Sequence, residues 1–540
     1  MSVPLAGAAL LIGLYVYYDL VVYRDHLLRG DEPAFVSATL ESPVSWFTRG
    51  YLDYFNLYPE WGTQHTSPLL KPVTNAVGYL NYSLFGRSYA LHFAAFFLMQ
   101  FIGLLVIVRL LRELAVPPLP TAVMALLFLF NPAFMNTGLI MLPFHFDVLA
   151  GVFAMAAFLA LWRERYGWAL LLLTLAVFTK ESAVFAPLAA ALSLMIWCRP
   201  PSKSALMMLP LVLWVAARFL AYGDVLAGGI TSPTGEIATG LSMWPTGLVP
   251  AGFVRQLGSS LPSSRTEVLN LVFLLANIGV WVFLGYAAWA TARRPVAAPA
   301  SAELTAALLV WTLGALSFGV LAGYHTRYGG SIYPFVYLLL AVLLFSPGYR
   351  VPRWAAASVL LVFAAATAVQ GVRSVRLALA WQSVIAPERA LHDALKMLPQ
   401  DGRTVYVVNA PPLLVSAPHH LTFAWSLNLD VVIVSQFGGC PTSSDTGTTE
   451  LSGADLVSVR IPDCAWLLFG SVPPDVVRRG TPLRREGVGA YVFPDRIAAS
   501  SDYPLELGRT LTFQIDPKKA DLTLIGYNWA SGSYSVISGR

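Results

Sequence analysis

The sequence predicts a polytopic α-helical membrane protein of about eleven transmembrane helices, followed by a C-terminal exoplasmic domain of α/β or mainly β structure. Of its 540 residues, 56% are hydrophobic and only 12% are charged, and the mean hydropathy is +0.62. Soluble domains carry about 25% charged residues. Apolar runs long enough to cross a membrane recur up to Gly371, and the composition then becomes that of a soluble domain.

The apolar runs set the positions of the predicted transmembrane helices, because a crossing needs about 20 mainly apolar residues. The predicted spans are 4–22, 88–111, 120–139, 145–162, 167–179, 183–198, 204–222, 267–290, 304–323, 331–346 and 354–371. No basic segment precedes the first run and no small-residue cleavage site follows it, so it is predicted to be an uncleaved helix rather than a signal peptide.

The orientation follows from short clusters of Lys and Arg between the spans, which mark cytoplasmic loops. All of them fall on one side if the spans alternate: Arg109 with Arg112, Arg163 with Arg165, Arg199 with Lys203, Arg293 with Arg294, and Arg350 with Arg353. The N-terminus is then cytoplasmic. The loops 23–87 and 223–266 and the domain 372–540 lie outside a bacterial-type inner, or plasma, membrane. Because the net charge of +5 is spread over these clusters, the sequence predicts no nucleic-acid partner.

The region 372–540 contains one segment with helical spacing, 387–398, and several short β-type runs. These runs lie at 404–408, 431–434, 490–493 and 522–525. Cys440 and Cys464 both belong to this region, where an oxidising compartment lets them form a disulfide. Two unpaired thiols are the alternative. With Cys198 the chain has three cysteines, which match no metal-ligand spacing.

The first outer loop, 23–87, is far longer than a simple connector and is rich in charged residues. Asp31 and Glu32 stand between Gly30 and Pro33. Two adjacent carboxylates are able to bind a divalent cation, or one of them is able to act as a general base. The alternative is that the pair caps the following helix. Lys71 stands between a leucine and a proline. Its ammonium group either binds the phosphate of a lipid carrier or snorkels towards the lipid headgroups.

Three further groups of polar residues stand at predicted outer ends of helices. They are His145 with Asp147, Lys180 with Glu181, and Arg327 in the segment 325–328. Ionisable residues at or inside a membrane are costly and tend to be functional. Each group alone also fits an interface anchor or an internal ion pair, Lys180 with Glu181 especially. Their placement on the same face as Asp31 favours a site.

The order and spacing of three motifs resemble a known family. Gly30-Asp31-Glu32-Pro33 comes early in the first outer loop, Lys71-Pro72 leads to Leu84-Phe85-Gly86, and Thr179-Lys180-Glu181 is followed by Pro187. This arrangement resembles the membrane glycosyltransferases of the C-type fold, in the branch of protein O-mannosyltransferases and lipid A aminoarabinose transferases. The resemblance covers the segment up to about residue 200. Pro33 and Ala34 stand where aromatic residues usually follow the acidic pair, and Glu181 stands in place of a glycine.

The resemblance implies a transmembrane glycosyltransferase domain over 1–371 that uses a polyprenyl-phosphate sugar as donor and inverts the anomeric centre. Asp31 is then the catalytic base, and Lys71, Arg327 and Lys180 bind the donor phosphate. Glu32, His145 and Asp147 complete an acceptor or metal site. A divalent metal ion is compatible with this site without being required, and the acceptor is a glycan, a lipid or a protein.

Two other classes of protein compete with this interpretation. A polytopic transporter or flippase of lipid-linked sugars also carries buried charges, but transporters often show paired halves, and the sequence shows no internal repeat. A scaffold protein accounts for the C-terminal domain. It does not account for Asp31, Lys71 and Arg327 on one predicted face.

Overall fold

The computed structural model describes residues 72–85, 89–129, 145–222, 265–293, 299–321, 329–345 and 353–408, several shorter C-terminal segments, and Gly13. The C-terminal segments are 427–433, 436–438, 449–452, 456–460, 466–468, 477–479, 510–514, 523–528 and 531–539. The chain divides into two compact units, and the boundary between Ala378 and Leu379 separates their described residues. The predicted span 4–22, apart from Gly13, and the predicted strand 490–493 lie outside the described residues.

The first unit is built from apolar helices. They are α1 (Pro72–Phe85), α2 (Tyr89–Glu113), α3 (Pro118–Leu129), α4 (His145–Trp162), α5 (Tyr166–Thr179), α6 (Phe185–Ile196), α7 (Pro201–Tyr222), α8 (Arg265–Arg293), α9 (Pro299–Leu321), α10 (Gly329–Phe345) and α11 (Arg353–Lys396), of which the residues up to Ala378 belong to this unit. Helices lie at each predicted span from 88–111 onward, and α3 covers the first part of 120–139. This is the architecture expected of a polytopic helical membrane protein.

Two stretches in the described helices are long and apolar enough to cross a membrane by themselves, Ala94–Glu113 in α2 and Pro201–Leu220 in α7. Shorter apolar stretches of 10–17 residues occur in the other helices from α3 to α11. The number of membrane crossings stays a prediction.

Helix α11 corrects one predicted boundary. The sequence suggests a span ending at Gly371 and a separate helical segment from Pro387, whereas the backbone continues as one helix of 44 residues. The change of composition after Gly371 does not end the helix, because an α-helix tolerates an internal glycine at a cost of about 1 kcal/mol. At 1.5 Å per residue the helix is about 66 Å long, which exceeds the thickness of a bilayer.

The centre of the first unit is formed by α4 and α10. Helix α4 packs against α2, α5 and α10, and α10 also packs against α3 and α9. Every residue of α10 from Tyr333 to Leu344 is apolar or aromatic and is buried in the unit, including Pro334. A helix that is apolar all round is expected in such an interior position.

Aromatic rings from four helices meet in this core. Trp311 of α9 lies 4.8 Å from Phe335 of α10 between ring centroids, and Phe158 of α4 and Phe185 of α6 approach the same indole edge-on. The Nε1–H of Trp311 donates a hydrogen bond to Ser193 Oγ at 3.0 Å. The polar end of the buried indole is thereby satisfied, as buried Trp side chains require.

Three helices end in the same way at one end of this unit. Ala115, Glu164 and Cys198 have positive φ angles of 56°, 58° and 50°, just past the ends of α2, α4 and α6. In each case the next residue donates a backbone hydrogen bond to a carbonyl five residues back: Val116 to Leu111, Arg165 to Ala160, and Arg199 to Leu194. This is the Schellman termination, formed here without glycine.

Ion pairs join these three turns. Arg163 donates through Nε to Glu113 Oε1 at 3.0 Å, and Arg109 reaches the same carboxylate at 2.9 Å. Arg199 pairs with Glu164, and Lys203 lies 4.0 Å over the ring of Tyr166. Three of the predicted basic clusters therefore lie together, at what we call the basic end: residues 109–117, 163–166 and 197–203.

We expect Glu113→Gln to lower the free energy of unfolding by about 1 kcal/mol, because two guanidinium groups lose a partly buried carboxylate and part of this gain is screened by solvent. Thermal unfolding in detergent measures the change. The matched control is Glu164→Gln, which breaks the exposed pair with Arg199 and should cost less than about 0.5 kcal/mol. Equal losses in the two variants would contradict a special role for the Glu113 cluster.

The described part of the second unit contains a four-stranded mixed sheet, a four-stranded antiparallel sheet and a two-stranded antiparallel sheet. The described strands are β1 (Thr404–Val408), β2 (Asp430–Ile433), β3 (Gln436–Gly438), β4 (Thr449–Ser452), β5 (Leu456–Arg460), β6 (Trp466–Leu468), β7 (Val477–Arg479), β8 (Thr510–Gln514), β9 (Thr523–Asn528) and β10 (Ser533–Gly539). The mixed sheet has the order β10-β9-β1-β2, with β1 parallel to both β2 and β9. The predicted strand 404–408 thus pairs with both of the predicted strands 431–434 and 522–525.

The turn before β1 is fixed by polar contacts. Asp401 accepts hydrogen bonds from the side chain of Arg403, which hold the pKa of this carboxyl at about 2. Gln400 and Asn428 exchange two hydrogen bonds, each between one side chain and the other backbone. These bonds tie the end of α11 to the start of β2.

Candidate functional site

The candidate site lies at the junction of α5 and α6, where two apolar helices meet in a charged turn. Helix α5 begins at the basic end and runs away from it to Thr179. Lys180 then adopts an extended backbone, with φ −153° and ψ 137°, and a 3-10 turn follows at Glu181–Ala183. The hairpin therefore presents Lys180 and Glu181 at the end of the unit opposite to the basic end.

Lys180 pairs with two carboxylates. Its Nζ lies 3.7 Å from Asp147 Oδ2 and 3.6 Å from Glu181 Oε1. The Lys180 side chain is 9% exposed, Asp147 is 0% exposed, and Glu181 is 20% exposed. The ion pair of Lys180 with Glu181 that the sequence suggests is present. The buried pair with Asp147 is the more enclosed of the two.

Asp147 is held by its helix as well as by its neighbours. It lies in the first turn of α4, where the helix dipole favours a negative charge. Its Oδ1 accepts a hydrogen bond from Ser182 Oγ at 2.9 Å. One carboxylate thereby connects the start of α4 with both Lys180 and the 3-10 turn.

Helix α1 reaches the same place. Thr74, in its first turn, is buried and donates a hydrogen bond from Oγ1 to the carbonyl oxygen of Thr179, the residue before Lys180. Helix α1 lies within the predicted outer loop 23–87, between the Lys71-Pro72 and Leu84-Phe85-Gly86 motif segments, and Lys71 directly precedes its first residue, Pro72. We call Thr74, Asp147, Thr179, Lys180, Glu181 and Ser182 the charged cluster.

A charged cluster inside a helical membrane protein is expensive. Breaking a buried ion pair by removing one partner costs about 3–5 kcal/mol, and replacing a whole pair by apolar groups is often neutral or stabilising. Stability alone therefore does not account for Asp147 and Lys180 at this position. Ionisable residues within membrane helices mark functional sites by default.

The structure regroups the residues that the sequence singles out. Lys180, predicted on the donor-phosphate side, and Asp147, predicted on the acceptor or metal side, contact each other. His145 is the first residue of α4, and its side chain lies outside the described part of the chain. Also outside it lie Asp31, Glu32, Lys71, Arg327, Cys440 and Cys464.

Sequence reasoning missed Ser182 and Thr74. Ser182 has a weak signal, since it follows the Lys180-Glu181 pair directly within the hairpin tip. Thr74 has none, because its contact with Thr179 joins residues 105 positions apart. Neither pattern nor spacing reveals such a contact.

The described residues offer no site for a metal ion. Among them no three His, Cys, Asp or Glu side chains lie together. Both oxygens of Asp147 face other groups, Oδ1 the hydroxyl of Ser182 and Oδ2 the ammonium of Lys180. The ammonium group of Lys180 lies between the carboxylates of Asp147 and Glu181.

Comparison with known proteins gives one structural match. No family model matches the chain, and no curated protein matches it. Among solved structures the chain is similar to ArnT from Cupriavidus metallidurans bound to undecaprenyl phosphate, with a TM-score of 0.44 and 14% sequence identity. The match covers 79% of this chain and 85% of that chain.

Proposed function

We propose that the chain is an inverting glycosyltransferase that moves a sugar from a polyprenyl-phosphate donor to an acceptor on the outer face of a plasma membrane of bacterial type. The observation that carries the proposal is the charged cluster. It is buried and lies at the end of the helical unit opposite to the basic end, and the positive-inside rule assigns the basic end to the cytoplasm.

Residues from the elements of two sequence motifs belong to the cluster, which supports the proposal. Its Lys180 is the lysine of the Thr-Lys motif, and its Thr74 lies three residues after the lysine of the Lys-Pro motif, Lys71. Arg327 precedes the first residue of the central helix α10 by two positions. Lys71, Lys180 and Arg327 are far apart in the sequence, and a shared site explains why each of these cations stands next to an apolar helix.

In the proposed reaction Asp31 accepts the proton of an acceptor hydroxyl or amine. The acceptor oxygen or nitrogen attacks the anomeric carbon from the face opposite the carrier, and the bond from that carbon to the phosphate oxygen breaks. The configuration inverts and the carrier leaves as a phosphate anion. Lys71 and Arg327 neutralise the negative charge on the leaving phosphate, which is worth more in a dry site than in water. Glu32 and His145 orient the acceptor.

We assign Lys180 and Asp147 a positioning role. An anion that approaches Lys180 also meets the carboxylates of Asp147 and Glu181, so Lys180 is poorly suited to bind a phosphate alone. The ion pair instead fixes the start of α4 against the α5–α6 hairpin, and Thr74 fixes α1 there too. Such fixed support is what a site needs to hold reacting groups in productive geometry.

The test is transfer of sugar by the intact protein in proteoliposomes. Synthetic polyprenyl-phosphate sugars, radiolabelled in the sugar, are offered together with extracts of the cell envelope, and the same sugars linked to nucleotide diphosphates serve as control donors. We expect transfer from the lipid donors alone, with inverted anomeric configuration in the product.

The same proteoliposomes test the competing class. A fluorescent polyprenyl-phosphate sugar reports movement across the bilayer by its accessibility to a quencher outside. Movement across the bilayer without transfer or donor cleavage, in a protein that unfolds cooperatively, would replace the transferase with a flippase.

A further inference from the structure

The basic end carries more positive charge than its carboxylates neutralise. Its three segments contain two carboxylates, Glu113 and Glu164, and six cations: Arg109, Arg112, Arg163, Arg165, Arg199 and Lys203. Glu113 pairs with Arg109 and Arg163, and Glu164 pairs with Arg199. Among the described residues, neither Arg112 nor Arg165 pairs with a carboxylate, and both are exposed. An excess of four positive charges therefore remains at this end.

The backbone that carries these cations is fixed. Arg112 lies in the last turn of α2, and the backbone N–H of Arg165 closes the Schellman turn after α4. The rings of Trp162 and Trp197, 5.5 Å apart between centroids, join the ends of α4 and α6. Trp197 also donates a hydrogen bond through Nε1–H to the carbonyl oxygen of Glu303 in α9, at 3.3 Å. A ligand that meets several of these cations at once has little backbone to order, which lowers the cost of binding.

Exposed apolar side chains begin directly beside the basic end on three helices. Leu119 is the second residue of α3, Trp168 is the third residue of α5, and Met195 lies in the last turn of α6. They are 75%, 61% and 62% exposed. In a helical membrane protein such side chains face lipid, and exposed Trp is enriched at the level of the headgroups. The cations of the basic end therefore lie at headgroup level rather than in bulk water.

We propose that the basic end is a docking surface for the headgroups of anionic phospholipids, with Arg112 and Arg165 as its main contacts. Guanidinium groups bind phosphate through paired N–H donors, and basic surfaces between membrane helices attract anionic lipids. A soluble acidic protein fits this surface less well, because Leu119 and Trp168 at the same level require an apolar medium. The surface is independent of the proposed reaction, since it lies at the opposite end of the helical unit from the charged cluster.

The test is selective binding of phospholipid by the intact protein in micelles of a neutral detergent. Phosphatidylglycerol and phosphatidylcholine with the same acyl chains are titrated separately, and native mass spectrometry of the complexes gives the Kd for each lipid. We expect tighter binding of phosphatidylglycerol, because the headgroup of phosphatidylcholine has no net charge. Each basic residue near an anionic lipid surface favours binding about fivefold. Arg112→Gln and Arg165→Gln should therefore each raise the Kd for phosphatidylglycerol about fivefold, and the double variant about twenty-fivefold.

Lys396→Gln is the matched control for the single variants. Lys396 is an exposed cation at the last residue of α11, in the second unit. We expect this variant to bind phosphatidylglycerol within about twofold of the wild type. The double variant Arg112→Lys with Arg165→Lys keeps both charges and loses the paired donors, so its Kd should lie between those of the wild type and the double glutamine variant. All of these changes are at exposed positions, where substitutions have little effect on folding.

Three outcomes would overturn the proposal. The first is a Kd for phosphatidylglycerol in the double glutamine variant within about twofold of the wild type, and the second is an equal loss of binding in Lys396→Gln. In either case the cations of the basic end form no specific lipid surface. The third is competition by glycerophosphoglycerol, the same headgroup without acyl chains, at concentrations near the Kd of the lipid. That result would assign the surface to soluble phosphate esters instead of a membrane lipid.

Discussion

Asp147→Asn is expected to lower the free energy of unfolding by about 3 kcal/mol, the largest loss among single changes in the charged cluster. The substitution preserves the size of the side chain and an oxygen that accepts the hydrogen bond of Ser182. It removes only the charge that faces Lys180. Because Lys180 is 9% exposed, its ammonium group keeps little solvent to replace that charge.

The matched control is Glu181→Gln. Glu181 Oε1 lies 3.6 Å from Lys180 Nζ, almost the same distance as Asp147 Oδ2 at 3.7 Å. The two carboxylates differ chiefly in burial, and the Glu181 side chain is 20% exposed. We expect this variant to lose less than about 1 kcal/mol, because solvent screens the exposed partner.

Thermal unfolding in detergent measures both variants, and the double variant Asp147→Asn with Lys180→Met completes the comparison. Removal of both charges should recover stability relative to Asp147→Asn alone, since no unpaired buried charge remains. A coupling energy of about 1–3 kcal/mol is expected for such direct contacts. Equal losses for Asp147→Asn and Glu181→Gln, or an additive double variant, would show that burial does not govern this cluster.

Transfer activity separates a positioning role from a purely structural one. Glu113→Gln also loosens an ion pair of the same unit, but at the basic end. If Asp147 supports the site, Asp147→Asn reduces transfer even at temperatures where both variants are fully folded, and Glu113→Gln does not. The two variants then differ in kcat more than in stability.

Much of the helical unit could be predicted from the sequence, because apolar runs of membrane length have few alternatives. The helices α2 and α4 to α10 all lie at predicted spans. The three basic clusters joined by Glu113 and Glu164 were expected on one side, and the contacts place them together. Hydrophobicity and charge are local properties of the sequence, so both predictions needed no knowledge of packing.

The charged cluster could be predicted only in part, because its decisive contacts are not local. Lys180 and Glu181 are neighbours in the sequence, and their pairing was foreseeable. The contact of Asp147 with Ser182 joins residues 35 positions apart and depends on how α4 packs against the hairpin. The predicted end of α11 at Gly371 was wrong for a related reason. A change in composition indicates a change of environment around the helix, but it does not interrupt the backbone hydrogen bonds, which continue to Lys396.

In the C-terminal unit the β-type runs identified individual strands but not their order. Strand β1 lies between β9 and β2, although β9 follows it by more than a hundred residues. Period-two alternation marks a strand, and it contains no information about which strand is the neighbour. The pairing of Cys440 with Cys464 stays a prediction.

Asp31→Asn is expected to reduce sugar transfer at least a hundredfold, the largest effect on activity that the proposal implies. A positioned general base contributes about 10²–10⁴ in rate, and an amide cannot accept the acceptor proton. The carrier phosphate is assigned to cations elsewhere, so the variant should bind polyprenyl phosphate within threefold of the wild type. Initial rates in proteoliposomes and carrier binding in nanodiscs measure the two quantities independently.

Glu41→Gln is the control for Asp31→Asn, since it removes another carboxylate from the same outer loop that no motif includes. It should transfer within twofold of the wild type. Loss of transfer together with loss of carrier binding in Asp31→Asn would assign Asp31 to donor binding rather than to proton transfer. Full activity in Asp31→Asn would place the base elsewhere. In that event Glu32 is the next residue to test, because it offers a carboxylate at the next position of the sequence.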